Sequence, residues 1–411
     1  MMVLQATDRT AELPRNLRER YDRECRITGF DLPRLGASKV LVVGAGAGGS
    51  CVIAGLALSG AGSRTYGGEI AIVDFDRLEP VNVSRWLLGV RPGDLGRPKA
   101  VVAAERAHEL NPDVNAVAMP IDAVYGLGSA HFARYDVILL CVDNVWARVQ
   151  LGRRAELWPG RIKAVIEGGL NGLQWAVHAY IPGVTACHEC TMSEAEYAEL
   201  RRRYSCQGQA QATHEPPAPM SIASTLPAAG IMVQEAIHAL LGLPLAYAGR
   251  ELRFDANGHP ARVIKLGRRA ECPGHASLPA GRTLVLPFGS DMRVAELRRM
   301  AAERIGCAPE SLSLAHDQLI LHGVRCQACG FVTPTGAPPT LFDLTPSAPC
   351  PNCGSEALSA DADQLLRPHL TLAAHGVPPE HIIRAYTPEH AEYWLVPETP
   401  YTIHLAGGCH G

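Results

Sequence analysis

Short apolar runs alternate with amphipathic stretches along the first two thirds of the chain. Lys39–Val43, Ile70–Asp74 and Asp136–Cys141 are rich in β-branched residues, and each has the length of a strand buried on both faces. Between them, Ala100–Leu110 carries its apolar residues on one helical face before an Asn-Pro pair ends the pattern. Alternating strands and helices predict an α/β fold with a Rossmann-like doubly wound sheet.

The same domain is predicted to continue well past residue 150. Its further elements are two strands, a helix ended by Gly242 and a closing hairpin, at Ile162–Ile166, Trp175–Ile181, Leu226–Leu241, Leu252–Phe254 and Arg262–Ile264. The intervening residues Glu189–Glu215 are polar and show little periodicity, so we expect a long surface loop there.

The composition shifts near residue 276. Thr283–Leu286 and Val294–Ile305 predict a strand and an amphipathic helix, and Leu319–Leu321 predicts another short strand. This order suggests a small ubiquitin-like (β-grasp-like) module in residues 283–325. We therefore divide the chain into a polar N-terminal arm (1–38), a nucleotide-binding domain (39–275) and a C-terminal domain (276–411).

The segment between Lys39 and Arg64 carries no charge and is long enough to cross a bilayer. Four of its glycines cluster within residues 44–50, however, and glycine disfavours a helix interior. A strand, a glycine turn and a buried helix explain the segment better, so no membrane association is expected.

Charge and cysteine content narrow the functional class. The 411 residues include 38 basic and 41 acidic side chains, and this net charge of −3 argues against a nucleic-acid-binding protein. The N-terminal residues lack the apolar core of a signal peptide, so we expect a cytoplasmic protein. In a reducing compartment, paired spacings among the 13 cysteines indicate metal binding or chemistry before disulfides.

A glycine-rich turn follows the first predicted strand. Gly44, Gly46 and Gly49 form a G-x-G-x-x-G pattern, which lets backbone N–H groups approach phosphate oxygens. The pattern suits NAD(P), FAD and ATP alike. The next strand ends in Asp74 and Asp76, either of which is placed to bind a ribose or to remain a surface carboxylate.

Residues after the second strand favour a triphosphate. Asn82, Arg85 and Lys99 supply an amide and two cations close behind Asp76, more positive charge than a dinucleotide requires. Asp143 then follows a strand beside the crevice and is well placed for Mg²⁺ on the phosphates. Its alternative role is to cap the helix that starts at Asn144.

Together these motifs resemble the ThiF/MoeB/HesA family, which includes the adenylation domains of ubiquitin-activating enzymes. The resemblance runs from about Arg20 to His275 and rests on six segments: Arg20–Arg23, Gly44–Ser50, Asp74–Arg85, Gly96–Lys99, Cys141–Arg148 and Cys187–Cys190. Two positions depart from the family pattern. Ala47-Gly-Gly49 replaces a G-G-L-G turn, and Trp86 stands where glutamine often follows the arginine.

The resemblance implies a set of roles. It places Asp76 on the ribose, Mg²⁺ on Asp143, and Arg23 across a homodimer interface on the partner's ATP. The other predicted ATP-binding residues are Gly44, Gly46, Gly49, Asn82, Arg85, Lys99 and Asn144. It also implies the reaction: the C-terminal carboxylate of a carrier protein attacks the α-phosphorus of ATP and expels pyrophosphate. No general base is needed, because that carboxylate is already ionised at neutral pH.

Seven cysteines and one histidine predict two structural zinc sites. Cys187 and Cys190 form a half-site, and the family places its second pair after the closing hairpin, where this chain has Cys272 and His275. His275 is then either the fourth ligand or a surface residue. The second site has zinc-ribbon spacing, with 20 residues between its pairs Cys326/Cys329 and Cys350/Cys353.

One further cysteine is a candidate nucleophile. Cys206 lies in a polar segment just after three arginines, whose charge favours a thiolate. In ubiquitin-activating relatives this region carries the cysteine that accepts the acyl group, so the resemblance implies a thioester on Cys206. The alternative is an incidental loop cysteine. By the same analogy the C-terminal domain docks a conjugating enzyme or is a structural lid.

The first interpretation is therefore a ubiquitin-activating-type enzyme that adenylates a ubiquitin-like protein ending in a free glycine. The second is an adenylyltransferase for a sulfur-carrier protein in thiamine or molybdopterin synthesis, which shares the whole ATP site. A non-catalytic scaffold and an NAD oxidoreductase are the remaining alternatives. The intact Asp76, Arg85, Lys99 and Asp143 argue against the scaffold.

Overall fold

The computed structural model describes residues 14–203, 219–255, 259–334 and 349–405. The chain forms two compact units. The first lies within Met1–Ala123, Tyr135–Thr191 and Pro216–His275, and the second within Val124–Arg134, Met192–Glu215 and Ala276–Gly411. A short segment from the middle of the predicted nucleotide-binding domain thus groups with the C-terminal residues.

The described residues form the following strands: β1 (Lys39–Val43), β2 (Glu69–Val73), β3 (Ala116–Met119), β4 (Val137–Leu140), β5 (Ala164–Asn171), β6 (Gln174–Tyr180), β7 (Arg250–Asp255), β8 (His259–Lys265), β9 (Thr283–Leu286), β10 (Ser313–Cys326), β11 (Val332–Pro334), β12 (Leu358–Leu365), β13 (Ile383–Tyr386) and β14 (Glu392–Pro397). Their helices are α1 (Arg15–Arg20), α2 (Leu32–Gly36), α3 (Ala47–Ser59), α4 (Lys99–Leu110), α5 (Ala123–Gly126), α6 (Val145–Glu156), α7 (Glu194–Arg203), α8 (Ile222–Leu241) and α9 (Val294–Ile305).

The first unit is built on an eight-stranded sheet of order β3-β2-β1-β4-β5-β6-β7-β8. The five strands from β3 to β5 are parallel, and β6, β7 and β8 add an antiparallel extension. From β1 the chain runs outward through β2 to β3, and it then crosses back to β4 on the other side of β1. The predicted doubly wound α/β sheet is confirmed, and this reversal opens a crevice at the carboxyl ends of these strands.

The uncharged segment is part of the core. It forms β1 and α3, and α3 packs against α8, where Gly55 leaves room for Val233. A Cβ atom on Gly55 would lie 2.8 Å from that valine, so the glycine allows close helix contact. Among the described residues, no helix combines the length and apolarity needed to cross a bilayer.

The second unit contains a mixed sheet of order β11-β10-β13-β14-β9, with β12 also paired to β10. Its first strand, β9, pairs in parallel with its last, β14, and α9 follows β9 directly. Apolar residues of α9, including Leu297 and Ala301, pack in the core with Leu395 of β14. The strand and helix predicted at 283–305 are therefore present, and the predicted short strand at Leu319–Leu321 is part of the longer β10.

The predicted loop over Glu189–Glu215 is wrong for its described part, because residues 194–203 form helix α7. Ser193 and Glu196 cap this helix reciprocally. The Ser193 hydroxyl accepts from the Glu196 amide at 3.2 Å, and the Glu196 carboxylate accepts from the Ser193 amide at 2.7 Å. The helix carries glutamates in its first turn, which favour its positive end. Residues 204–215 lie outside the described part of the chain.

Candidate nucleotide site and metal centres

The glycine turn joins β1 to α3 at the crevice. Gly44 has φ +93°, and a Cβ atom on it would lie 2.6 Å from the carbonyl oxygen of Cys141. A Cβ on Gly49 would overlap with the Gly44 carbonyl oxygen. A Cβ atom on Gly46, in contrast, would lie in open space, with no atom of the described residues within 4 Å apart from its chain neighbours. Packing thus requires Gly44 and Gly49, while Gly46 leaves space at the N-terminus of α3 where a phosphate can approach.

Asp74 and Trp86 fix this turn. One carboxylate oxygen of Asp74 accepts from the Ala45 amide at 2.7 Å, and the other accepts from the Asp76 amide at 2.8 Å. The Trp86 indole donates to the Ala45 carbonyl at 2.7 Å. Burial raises the pKa of Asp74 above its ordinary value. Asp74 is therefore committed to the backbone, which leaves Asp76 as the acid available to a ribose.

Asp76 and Lys99 form an ion pair at 2.8 Å. Lys99 is the first residue of α4, and its amide donates to the Asp76 carbonyl at 2.8 Å. The Asp76 side chain is 52% exposed, whereas the Lys99 side chain is 12% exposed. An ion pair and a backbone hydrogen bond thus join the segment after β2 to the start of α4, and they hold the Lys99 ammonium group beside the crevice.

Asn82 and Arg85 lie in the loop after β2. Asn82 is buried, and its side-chain oxygen accepts from the Glu79 amide at 2.8 Å, which caps a short 3₁₀ turn. Arg85 is half-buried, and its guanidinium makes no hydrogen bond or ion pair with any residue that the structure describes. Arg85 is therefore a cation without a structural partner near the crevice, as a phosphate-binding arginine would be.

Asn144, not Asp143, caps helix α6. The Asn144 side chain accepts from the Ala147 amide at 2.7 Å. Asp143 is exposed after β4, and its carboxylate makes no hydrogen bond within the described residues. Cys141, two residues earlier, donates its amide to the Val43 carbonyl at 2.7 Å, which places this segment beside the glycine turn. The carboxylate of Asp143 is thus available for a cation.

A buried polar network behind Asp143 was not predicted. Arg148 donates to the carbonyls of Val142 and Gly168, each at 2.6 Å, and pairs with Glu167 at 3.2 Å. Glu167 also contacts the ring nitrogens of His178 (2.9 Å) and His188 (3.1 Å).

Burial alone would raise the pKa of Glu167, but the charge of His188 and the hydrogen bonds from both histidines hold it well below its ordinary value. An ionised Glu167 keeps Arg148 in place. Arg148 in turn fixes the backbone next to Asp143.

Two of the remaining predicted residues are not brought to this crevice by described contacts. Arg23 is exposed shortly after α1, and the structure gives it no described side-chain partner. Its predicted role across a dimer stays a prediction. Cys206 lies outside the described residues, so its predicted role also stays a prediction.

The first predicted zinc ligands come together in the first unit. The sulfur of Cys187 lies 3.9 Å from that of Cys190 and 3.8 Å from that of Cys272, and the Cys190 sulfur lies 3.2 Å from Nε2 of His275. Tetrahedral zinc with bonds of about 2.3 Å to sulfur spaces its thiolates by about 3.8 Å. These four side chains therefore fit a zinc ion, with Arg269 donating to the Cys190 sulfur from outside.

The second set also meets the spacing of a metal centre. The sulfurs of Cys326 and Cys353 lie 3.5 Å apart, and those of Cys329 and Cys350 lie 3.7 Å apart. The Asn352 side chain donates to the Cys329 sulfur at 3.4 Å, and this contact lowers the pKa of Cys329 to about 6. A thiolate at neutral pH is the form that zinc binds. Four thiolates leave no open position, so this centre fits a structural role.

His275 provides the sharpest test of the first centre. We expect His275→Ala to lower the zinc content by about one equivalent per chain and to lower the melting temperature, because a structural zinc contributes directly to folding. His275→Cys should retain the metal with four thiolates. Metal analysis after desalting, with Cys307→Ser as the control outside both clusters, makes the measurement. Full zinc retention in His275→Ala would exclude His275 as a ligand.

The ThiF family model matches residues 21–274. Ubiquitin-like modifier-activating enzyme 7 of Mus musculus is 35% identical over 189 residues, covering 44% of this chain and 18% of that protein. A sulfur carrier protein adenylyltransferase of Thermus thermophilus is 29% identical over 262 residues, covering 61% of this chain and 87% of that protein.

The chain thus spans about a fifth of the length of the first of these relatives. Among solved structures, the chain is similar to MccB of E. coli with ATP, at 18% identity and a TM-score of 0.46, covering 60% of this chain and 68% of MccB. The ThiF match covers more than half of the residues and contains the crevice and the three cysteines of the first cluster. The chain belongs to the ThiF family.

Proposed function

We propose that this chain uses ATP to adenylate the C-terminal carboxylate of a small carrier protein of the ubiquitin-like or sulfur-carrier kind. The observation that carries the proposal is the set of groups at the carboxyl ends of β1, β2 and β4. An open glycine turn at Gly46, the Asp76–Lys99 pair, the unpartnered Arg85 and the exposed Asp143 all border one crevice. These groups match a ribose, several phosphate charges and a divalent cation.

The chemistry follows from these groups. A carrier carboxylate is ionised at neutral pH and attacks the α-phosphorus directly. The bond from that phosphorus to the bridging oxygen breaks, and pyrophosphate leaves with the electron pair. Negative charge grows on the phosphate oxygens, and in this proposal Arg85 and Lys99 offset it. Asp143 would hold Mg²⁺, which neutralises further phosphate charge.

A groove of about 580 Å³ on the antiparallel extension offers a path for the tail of the carrier. Gly169 and Leu170 of β5 line it, and so does the stacked pair of Trp175 and Phe254, with ring centroids 5.2 Å apart. Leu170 also adjoins α3, where a Cβ on Gly48 would lie 3.7 Å from it. We propose that an extended C-terminal tail lies in this groove and points its carboxylate at the glycine turn.

We propose two alternative next reactions of the acyl-adenylate, with the preferred one first. The first is transfer to Cys206 as a thioester, which the resemblance to ubiquitin-activating enzymes supports over almost half of the chain. The second is sulfur transfer to a carrier, supported by the relative in Thermus thermophilus, of which this chain covers 87%. A homodimer with Arg23 on the partner's ATP, and docking of a conjugating enzyme on the second unit, belong to the first proposal.

Gly46 tests the nucleotide site with little effect on the fold. We expect Gly46→Ala to weaken ATP binding by about 5- to 150-fold, because its methyl group enters the space that a phosphate would fill and such overpacking costs about 1–3 kcal/mol. Gly48→Ala, two residues later, is the matched control, because a Cβ on Gly48 would make ordinary van der Waals contact with Leu170. Isothermal titration with a non-hydrolysable ATP analogue measures both. Equal affinities of the two variants for the ATP analogue would exclude phosphate binding at this turn.

A further inference from the structure

The second unit contains a largely buried cluster of two histidines and one aspartate that the proposed function does not use. A carboxylate oxygen of Asp317 lies 3.0 Å from Nε2 of His381 and 3.3 Å from Nδ1 of His316. Ligand atoms of the three residues all lie within 4.8 Å of one another. His381 is 1% exposed and His316 is 7% exposed, so both rings are withdrawn from water.

An irregularity in β10 brings His316 and Asp317 to the same point. Successive side chains of a regular strand point to opposite faces. Here the pairing of β10 with β12 passes from Ala315↔Leu365 to Ile320↔Asp363, so that the four residues 316–319 of β10 lie opposite the single residue Gln364 of β12. The Gln364 side chain donates to the Asp317 carbonyl at 3.2 Å and holds the bulge. A bulge of this kind re-aims side chains, and bulges are frequent next to functional sites.

The third residue is presented by a strained loop. Glu380, directly before His381, has φ +56°, a region that residues other than glycine rarely adopt. Its carboxylate is held by His131 at 3.1 Å and Arg134 at 3.0 Å. A Cβ on Gly128 would overlap with the Pro379 carbonyl, so the glycine allows these two segments to meet. Strain that the surroundings maintain in this way is common at ligand clamps.

We propose that His316, Asp317 and His381 bind a divalent first-row transition metal, for which Zn²⁺ is the probe. Two imidazoles and one carboxylate form a three-ligand set that zinc accepts, with its fourth position open to water. Ligand atoms around tetrahedral zinc lie about 3.3 Å apart, close to the two contacts of Asp317. The bound ion would neutralise the carboxylate.

The surroundings support the ligand role of His381. The Ser129 amide donates to its Nδ1 at 3.3 Å, and the Ser129 hydroxyl lies at the same distance from that nitrogen. With Nδ1 accepting from Ser129, the ring is held with Nε2 towards the Asp317 carboxylate at 3.0 Å. The His316 and His381 rings stack with centroids 4.5 Å apart, which limits their rotation. The ion would thereby tie β10 to the segment that precedes β13.

Metal content after desalting tests the proposal without any adenylation assay. We expect His316→Gln and His381→Gln each to contain about one metal equivalent less per chain than the wild type. His375→Gln is the matched control, because His375 is a buried histidine of the same unit that lies outside the cluster and contacts the Arg367 backbone through Nε2. Folded His316→Gln and His381→Gln proteins with wild-type metal content would overturn the proposal.

A second measurement serves if these variants do not fold. X-ray absorption at the zinc edge of the wild-type protein reports the ligand atoms directly. The two cysteine clusters alone supply sulfur with a single nitrogen from His275. We expect additional nitrogen and oxygen ligands from the His316 cluster. A zinc shell that the two cysteine clusters explain fully, in protein loaded with excess Zn²⁺, would contradict the third site.

Discussion

Replacing Asp143 with alanine is expected to reduce carrier-dependent ATP–pyrophosphate exchange by about 10²–10³-fold, the loss typical of removing one group that stabilises transition-state charge. The carboxylate is exposed and makes no described hydrogen bond, while Asn144 provides the cap of α6. The variant should therefore fold normally and lose only the position of the cation. Exchange of labelled pyrophosphate into ATP measures the effect.

Glu389→Ala serves as the control, because it removes an exposed acid of the second unit. Its exchange rate should equal that of the wild type. The exchange rate of Arg85→Ala should fall as that of Asp143→Ala does. The Arg85 guanidinium has no partner among the described residues, so its loss should not disturb the fold. If folded Asp143→Ala kept full exchange, the non-catalytic scaffold would become the better account.

Replacing Cys206 with alanine is expected to abolish a DTT-sensitive adduct between this chain and its carrier while leaving exchange intact. A thiolate attacks the acyl carbon of the adenylate and AMP leaves, which converts the mixed anhydride into a thioester. Adenylation precedes this step and does not need the thiol. Non-reducing electrophoresis after incubation with ATP and carrier separates the adduct from free protein.

Cys25→Ala is the control for general thiol loss, because Cys25 is half-buried and lies outside both cysteine clusters. It should retain the adduct. An adduct that persists in Cys206→Ala would exclude Cys206 as the thioester nucleophile and would favour the sulfur-carrier interpretation. Loss of exchange along with the adduct would instead indicate damage to the crevice.

The elements best predicted from sequence are those whose patterns are local. β1, β9 and α9 have the predicted bounds, because apolar strand runs and helical periodicity arise from neighbouring residues. Helix α7 was missed because its apolar periodicity is weak. The Ser193–Glu196 capping box was nonetheless present in the sequence and is a signal that could have found it.

Several residues that were singled out from the sequence lie at the strand ends that form the crevice, but the hydrogen bonds they make there could not be predicted. Whether Asp74 or Asp76 faces a ribose depends on which one the turn uses, and Asp74 accepts the Ala45 amide. Likewise, helix capping by Asn144 rather than Asp143 is visible only from the position of α6. These assignments depend on hydrogen bonds whose geometry is set by the packed strand ends.

Networks between distant segments were beyond the reach of sequence patterns. Arg148 and Glu167 meet because β5 lies beside β4, and the histidines that join them come from other segments. His316 and His381 are likewise 65 positions apart and are brought together by a bulge and a strained loop. A metal site can be predicted from sequence when its ligands have a regular spacing, as in the Cys-x-x-Cys pairs.

The most direct test of the proposed activity is the bond at which ATP is cleaved. Wild-type protein should be incubated with Mg²⁺, ATP labelled at the α-phosphate, and ubiquitin-like or sulfur-carrier proteins that end in a free glycine carboxylate. The same carriers with an amidated C-terminus are the control. We predict labelled AMP, as free nucleotide or acyl-adenylate, only with a free carboxylate. Release of labelled ADP, or AMP formation that ignores the carboxylate, would contradict carrier adenylation.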